Sequence, residues 1–173
     1  LIEGNNGNAI TQVPPGTGII VLAGKQVEIF NNKILRNKTT GIAIASYQIT
    51  GFPIKEQEGW SPFTYDISIH DNTYERTSSL PDMTKDLGKL IAAKNAHGIG
   101  KTQDIVYDGI FDDSQFKDIN TNPMRICIKE NMEGKYFTQY YLMDGDDNIN
   151  AFSDIKPFTC EASITTELKH LLK

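Results

Sequence analysis

The chain has few cysteines, histidines and tryptophans: two, three and one among 173 residues. It contains no run of about eighteen apolar residues, so no segment could span a bilayer as a helix. Its 17 basic residues form no basic stretch and are outnumbered by 22 acidic ones, which argues against a nucleic-acid partner. There is no P-loop, dinucleotide fingerprint, nucleophile elbow or histidine-rich metal motif. What remains is a globular domain of ordinary size whose composition names no activity.

A short repeat is the strongest pattern in the sequence. Three hexads carry β-branched residues at positions one and three and Asn at position six; they span 27–32, 67–72 and 126–131. Alternation of this kind places positions one and three on one face of a strand and positions two and four on the other. A second strand type begins with Thr-Gly at Thr17 and again at Thr40, 23 positions later. This spacing is plausible for one complete coil of a repeat protein.

We therefore expect an all-β fold, a right-handed parallel β-helix in which each coil buries its apolar face against the next. Asn tolerates left-handed turn geometry and suits a corner, so Asn32, Asn72 and Asn131 are expected to stack as a ladder. An antiparallel sandwich is the competing interpretation, but hairpin signals between adjacent strands are missing. Helical periodicity predicts one inserted helix over 82–95, with Asp82 as its N-cap, and a short C-terminal helix over 164–173.

The order of these pieces, from Pro14-Pro15-Gly16-Thr17-Gly18 through the hexads to Cys160, resembles a family of exported right-handed parallel β-helix repeat proteins of bacterial envelopes. The resemblance implies a signal or lipoprotein peptide upstream and a location in the periplasm, at the outer membrane surface or outside the cell. It implies no established reaction. We expect residues 1–173 to form a single domain, the C-terminal part of a longer β-helix. Upstream coils or another protein chain would then dock at its N-terminal end.

An aromatic-rich loop insertion is predicted over 47–66, where Gly and Pro break the repeat. Aromatic rings can stack on sugar faces, which makes this loop a candidate carbohydrate platform; the alternative is that the rings anchor the loop to the core. The candidate residues are Phe52, Trp60, Phe63 and Tyr65.

The fourth hexad positions suggest a candidate catalytic group. They place Phe30, His70 and Lys129 on one outward face. In a lyase or epimerase acting on a uronate polymer, His70 would be the base, Lys129 would neutralise the uronate carboxylate and Asp71 would orient His70. The alternative is a row of solvated side chains on a sheet face, since a lone His without a converging set is rarely catalytic.

Two further features concern metals and cysteines. Oxygen ligands at alternate positions, as calcium favours, are supplied by Asp144, Asp146 and Asn148. A turn rich in Asp and Gly explains the same sequence pattern without a metal ion. Cys127 and Cys160 could form a disulfide in an exported protein, closing a loop worth about 3–4 kcal/mol. The alternative is a pair of buried thiols in a cytosolic protein. No other cofactor is suggested.

The sequence thus favours a non-catalytic exported module, a scaffold or binding domain for a glycan or an envelope protein partner. The alternative is a polysaccharide lyase or epimerase acting on a uronate polymer. The shortage of basic residues argues against this alternative, because a polyanionic substrate needs a positively charged groove.

Overall fold

A computed structural model describes residues 9–55, 58–94, 102–112, 114, 121–130, 133, 136–141 and 149–160. The strands in these ranges are Thr17–Leu22 (β1), Lys25–Phe30 (β2), Lys33–Leu35 (β3), Thr40–Ala45 (β4), Tyr65–His70 (β5), Thr73–Glu75 (β6), Gln103–Tyr107 (β7), Ile126–Lys129 (β8), Phe137–Tyr141 (β9) and Asn150–Phe152 (β10). One α-helix, Asp86–Lys94 (α1), and three 3₁₀ helices, Ala9–Gln12, Tyr47–Thr50 and Lys156–Phe158, complete the described elements.

The strands form three sheets. Sheet A has the order β1-β4-β7-β9-β10, sheet B the order β2-β5-β8, and sheet C pairs β3 with β6. All pairings are parallel except that of β9 with β10, which is antiparallel. In sheet B, Ile29 lies opposite Ile69 and Ile69 opposite Ile128, so the three hexads lie parallel and in register.

The main core lies between the three sheets, because one isoleucine face of β2, β4, β5, β7 and β8 and Ile34 of β3 point into the same interior. Ile67, Ile69 and Ile126 in sheet B and Ile42 and Ile105 in sheet A are completely buried. Complete burial of one such side chain stabilises the fold by about 1.5–3 kcal/mol. Their contacts join all three sheets into one apolar cluster.

The fold class expected from the repeats, an all-β right-handed parallel β-helix, is wrong. The chain has mixed α/β character: three open sheets, an antiparallel edge strand and an α-helix packed on sheet A. Leu87, Leu90 and Ile91 of α1 cover Ala43 and Val106 on the face of sheet A that is turned away from the main core. Strand β4 is therefore buried at every residue, and a pattern that alternates between core and solvent does not describe it.

Backbone conformation repeats at both ends of sheet B. Gln26, Asp66 and Arg125 precede the three hexads and have φ values of 57°, 59° and 52°. At the opposite end, Asn31 and Asp71 both have φ of 55°. The left-handed region is unfavourable for residues other than Gly, and Asn and Asp tolerate it best. The residue type itself therefore favours the left-handed conformation at Asn31, Asp66 and Asp71. At Gln26 and Arg125, contacts with neighbouring residues hold it.

An amide ladder is present in part. The Asn32 side-chain amide donates to Asn72 Oδ1 at 3.0 Å, and the Asn72 amide donates to Glu130 Oε1 at 2.7 Å. Glu130 therefore occupies the third place in the ladder, which the sequence assigned to Asn131. Asn131 itself lies outside the described residues. The same oxygen, Glu130 Oε1, also accepts a hydrogen bond from the hydroxyl of Tyr74 at 3.2 Å, since a carboxylate oxygen has two lone pairs.

The segments between strands only partly follow the sequence expectations. Helix α1 begins at Asp86, whereas Asp82 accepts a hydrogen bond from the Thr84 amide at 2.9 Å, four residues before the helix. The expected C-terminal helix lies outside the described residues, and so does residue 95, at the end of the predicted helical insertion. None of the described helices is long and apolar enough to cross a membrane. The single-domain assignment and docking at the N-terminal end stay predictions.

Candidate functional site: an aromatic groove

An open groove of about 310 Å³ lies at the N-terminal end of sheet B. This volume is at the lower end of the range of small-molecule sites, about 300–1,000 Å³. The groove has an apolar part and a polar part, and its lining residues are Ser61, Phe63, Tyr65, Asp112, Pro123, Met124 and Arg125. Rings beside hydroxyl, carboxylate and guanidinium groups suit a ligand that presents both apolar faces and hydroxyl groups.

The polar side of the groove is built on an ion pair between neighbouring strands. Arg125 Nε lies 2.5 Å from Asp66 Oδ1, and its Nη2 lies 2.7 Å from Oδ2. The Asp66 side chain is 11% exposed and that of Arg125 is 61% exposed, so the carboxylate lies behind the guanidinium. Hydrogen bonding to Asp66 raises the pKa of Arg125 further above its ordinary value. The guanidinium is therefore a fixed donor at the groove.

Two of the four predicted carbohydrate-binding aromatics meet in the groove. Phe63 and Tyr65 line it and pack against the main core. Trp60 contacts Tyr47 edge-to-face with ring centroids 5.4 Å apart, and Phe52 is not among the lining residues. The predicted loop thus contributes one pair of rings to the groove and another ring to the packing of a 3₁₀ helix.

The predicted catalytic group lies at the other end of sheet B. Tyr65 and His70 are five residues apart on β5, which corresponds to about 16 Å. His70 Nδ1 lies 2.7 Å from Asp71 Oδ2, and its Nε2 lies 2.9 Å from Glu28 Oε1. Phe30 stacks on the imidazole with centroids 5.4 Å apart. The backbone register places Lys129 beside His70 on β8.

This arrangement favours the protonated form of His70 over the neutral form that a base requires. Both ring nitrogens of His70 face carboxylates, and only the protonated imidazole can donate to both. The hydrogen bond to Asp71, and next the hydrogen bond and charge of Glu28, raise the pKa of His70 against the opposing effect of burial. Proton abstraction needs a nitrogen with an available lone pair. The structure therefore brings His70 and Asp71 together as predicted, but with both imidazole nitrogens occupied.

No metal site can be assigned. Asp144, Asp146 and Asn148, the predicted calcium ligands, lie outside the described residues. Within the described ranges, no group of three or more His, Cys, Asp or Glu side chains is placed to hold a metal ion.

Cys127 and Cys160 form a disulfide, with Cα atoms 5.5 Å apart. Cys127 occupies the second position of its hexad on β8, and Cys160 follows Thr159, which bridges to Ile128. The bond therefore fastens the chain near residue 160 to sheet B. Of the two alternatives that the sequence left open, the disulfide is the one the structure contains.

Sequence reasoning missed Asp66 and Arg125 at the groove and Glu28 beside His70, although the aligned hexads carried a signal for them. Asp66 and Arg125 each precede a hexad, so stacking places opposite charges side by side. Glu28 and His70 occupy the second and fourth positions of adjacent hexads, a diagonal pair on one face. Ser61 and Asp112 come from connecting segments, whose approach to the groove no local pattern predicts.

Comparison with known proteins identifies no relative, since no family model, curated protein or solved structure matches this chain. The resemblance to exported repeat proteins stays a prediction.

Proposed function

We propose that this chain is a non-catalytic exported module that binds a glycan in the groove at Phe63, Tyr65 and Arg125. The observation that carries the proposal is the groove itself. It combines two aromatic rings with a guanidinium held in place by a buried carboxylate. Sugars offer apolar C–H faces that stack on rings, together with hydroxyl groups that donate and accept hydrogen bonds. Both kinds of contact are available within this groove.

The geometry at His70 supports a binding function over lyase or epimerase chemistry. Such a reaction needs a base that accepts the proton beside a uronate carboxylate, and both ring nitrogens of His70 are already engaged by Glu28 and Asp71. Among the described residues that line the groove, about 16 Å away along β5, there is no His.

The disulfide supports an exported location, because disulfides persist mainly in oxidising compartments such as the periplasm and the extracellular space. The proposed setting is therefore the cell envelope or its surroundings, where glycans are abundant.

Titration calorimetry against oligosaccharides selected on a glycan array would test the proposal. We expect Tyr65→Ala to weaken binding about tenfold, because it removes a ring of the groove, and Tyr65→Phe to retain most of the affinity. Phe30→Ala is the matched control, since Phe30 is an exposed aromatic of the same sheet outside the groove. Absence of binding to every glycan would refute the proposal, as would equal losses in Tyr65→Ala and Phe30→Ala.

A further inference from the structure

We infer that the groove selects uncharged sugars and rejects uronates, and that the Asp66–Arg125 pair sets this preference. The inference rests on the proposed glycan-binding function and names the ligand class of the same site. It follows from how the charges around the groove are placed.

The charged groups that the structure describes around the groove balance one another. Arg125 and Asp112 line it, Asp66 contacts Arg125, and the Lys25 ammonium lies 5.3 Å from the centroid of the Tyr65 ring. Two cations therefore face two anions. A site for a polyanion concentrates positive charge, whereas the described residues of this groove supply none in excess.

Asp66 neutralises the guanidinium charge of Arg125, to which a uronate carboxylate would otherwise bind. Its carboxylate receives two nearly parallel bonds from Arg125, the geometry in which guanidinium and carboxylate match best. A uronate carboxylate would have to compete with this intramolecular partner, which is already in place. A sugar hydroxyl needs only one donor or acceptor from the exposed edge of the pair.

Asp112 adds a second reason. Its carboxylate lines the groove, where it accepts the amide of Ser114 at 3.1 Å. A carboxylate accepts hydrogen bonds from sugar hydroxyls and repels another carboxylate. The polar part of the groove thus offers an acceptor in Asp112 and a neutralised donor in Arg125, which together suit an uncharged ligand.

The substitution Asp66→Asn tests the inference directly. Asn keeps the shape of the side chain and can still accept one bond from Arg125, but it leaves the guanidinium charge uncompensated. Because Asp66 has φ of 59°, Asn is also among the few residues that this backbone position tolerates. Asp86→Asn is the control, since Asp86 is an exposed carboxylate on α1 and removing it changes the net charge equally.

Calorimetry in about 150 mM salt would compare neutral pentasaccharides of glucose, galactose and mannose with pentamers of galacturonate and of alginate. In the unmodified chain we expect a neutral pentamer to bind at least tenfold more tightly than either acidic one. In Asp66→Asn, the ratio of acidic to neutral affinity should rise about fivefold, and in Asp86→Asn it should stay constant.

The outcomes separate the two proposals. Acidic pentamers that bind as tightly as neutral ones would overturn the neutral-sugar inference while leaving glycan binding intact. A ratio that is unchanged in Asp66→Asn would overturn the role of the ion pair. If no pentamer of either kind binds, the proposed function itself fails.

Discussion

Asp108 should make the stability of this protein depend on pH near neutrality. Its carboxylate is buried, with Oδ2 accepting the Ser46 amide at 2.6 Å and Oδ1 the Ile110 amide at 3.0 Å. Burial raises the pKa of Asp108 from 3.8 to about 7, against the opposing effect of these two hydrogen bonds. The folded state therefore holds a proton on Asp108 at pH values where the unfolded chain has released it.

The sign and size of the effect follow from this difference. A raised pKa contributes stability that is fully present below pH 3.8 and is lost as pH rises through about 7. One unit corresponds to about 1.4 kcal/mol, so the total loss is about 4 kcal/mol. Of this, about 2–3 kcal/mol falls between pH 5 and pH 8, where unfolding is convenient to measure.

Urea unfolding of the unmodified chain and of Asp108→Asn at pH 5 to 8 would measure this loss. At pH 5 we expect the variant to be less stable by about 1–3 kcal/mol, because its NH₂ group cannot accept one of the two amides. This gap should narrow by about 2–3 kcal/mol by pH 8, while Asp86→Asn follows the unmodified chain throughout. Parallel curves for Asp108→Asn and the unmodified chain would refute the reasoning, since they would mean that Asp108 is ionised over the whole range.

Three further predictions concern other parts of the fold. Asp71→Asn should lower the pKa of His70 toward 6.5, because it removes the largest cause of the upward shift; an NMR titration of the imidazole measures this, and an unchanged midpoint would contradict it. Ile126→Ala should cost about 2–5 kcal/mol in denaturant unfolding, whereas Ile10→Ala, at a position that is 68% exposed, should cost less than about 0.5 kcal/mol. The disulfide joins residues 33 positions apart, so reducing it should lower the free energy of unfolding by about 3–4 kcal/mol. Melting curves measured with and without reductant check this, and curves that coincide would show that the bond adds no stability.

The pairing of the hexads could be predicted from sequence because it depends on a local pattern. β-branched residues two apart define one face of a strand, and equivalent residues of the next hexad fill the same layer, as Ile29, Ile69 and Ile128 do. The class of the whole fold could not be predicted in this way. It depends on what covers the second face of sheet A; that is helix α1, and the periodicity that predicts a helix does not say where the helix packs.

On the outward face of sheet B, the local pattern also fails to predict the burial of single residues. Alternation predicts that the second hexad positions face solvent, yet Ser68 and Cys127 are 1% and 7% exposed. For Cys127 the reason is the disulfide to Cys160, a long-range bond that no hexad encodes. The groove was predicted only in its aromatic residues, because these can be recognised in the sequence alone. The ion pair of Asp66 with Arg125 joins two strands, so it can be recognised only once those strands have been aligned.

The connections between paired strands differ greatly in length. Thr17 pairs with Thr40 after 23 residues, whereas Thr40 pairs with Gln103 after 63, and both pairings are parallel and in phase. Closing the longer connection costs only about 1 kcal/mol more than closing the shorter one, since the entropy of closure grows with the logarithm of length. Insertions between paired strands therefore cost the fold little stability, and the strands on either side of a long connection keep the same register in the interior.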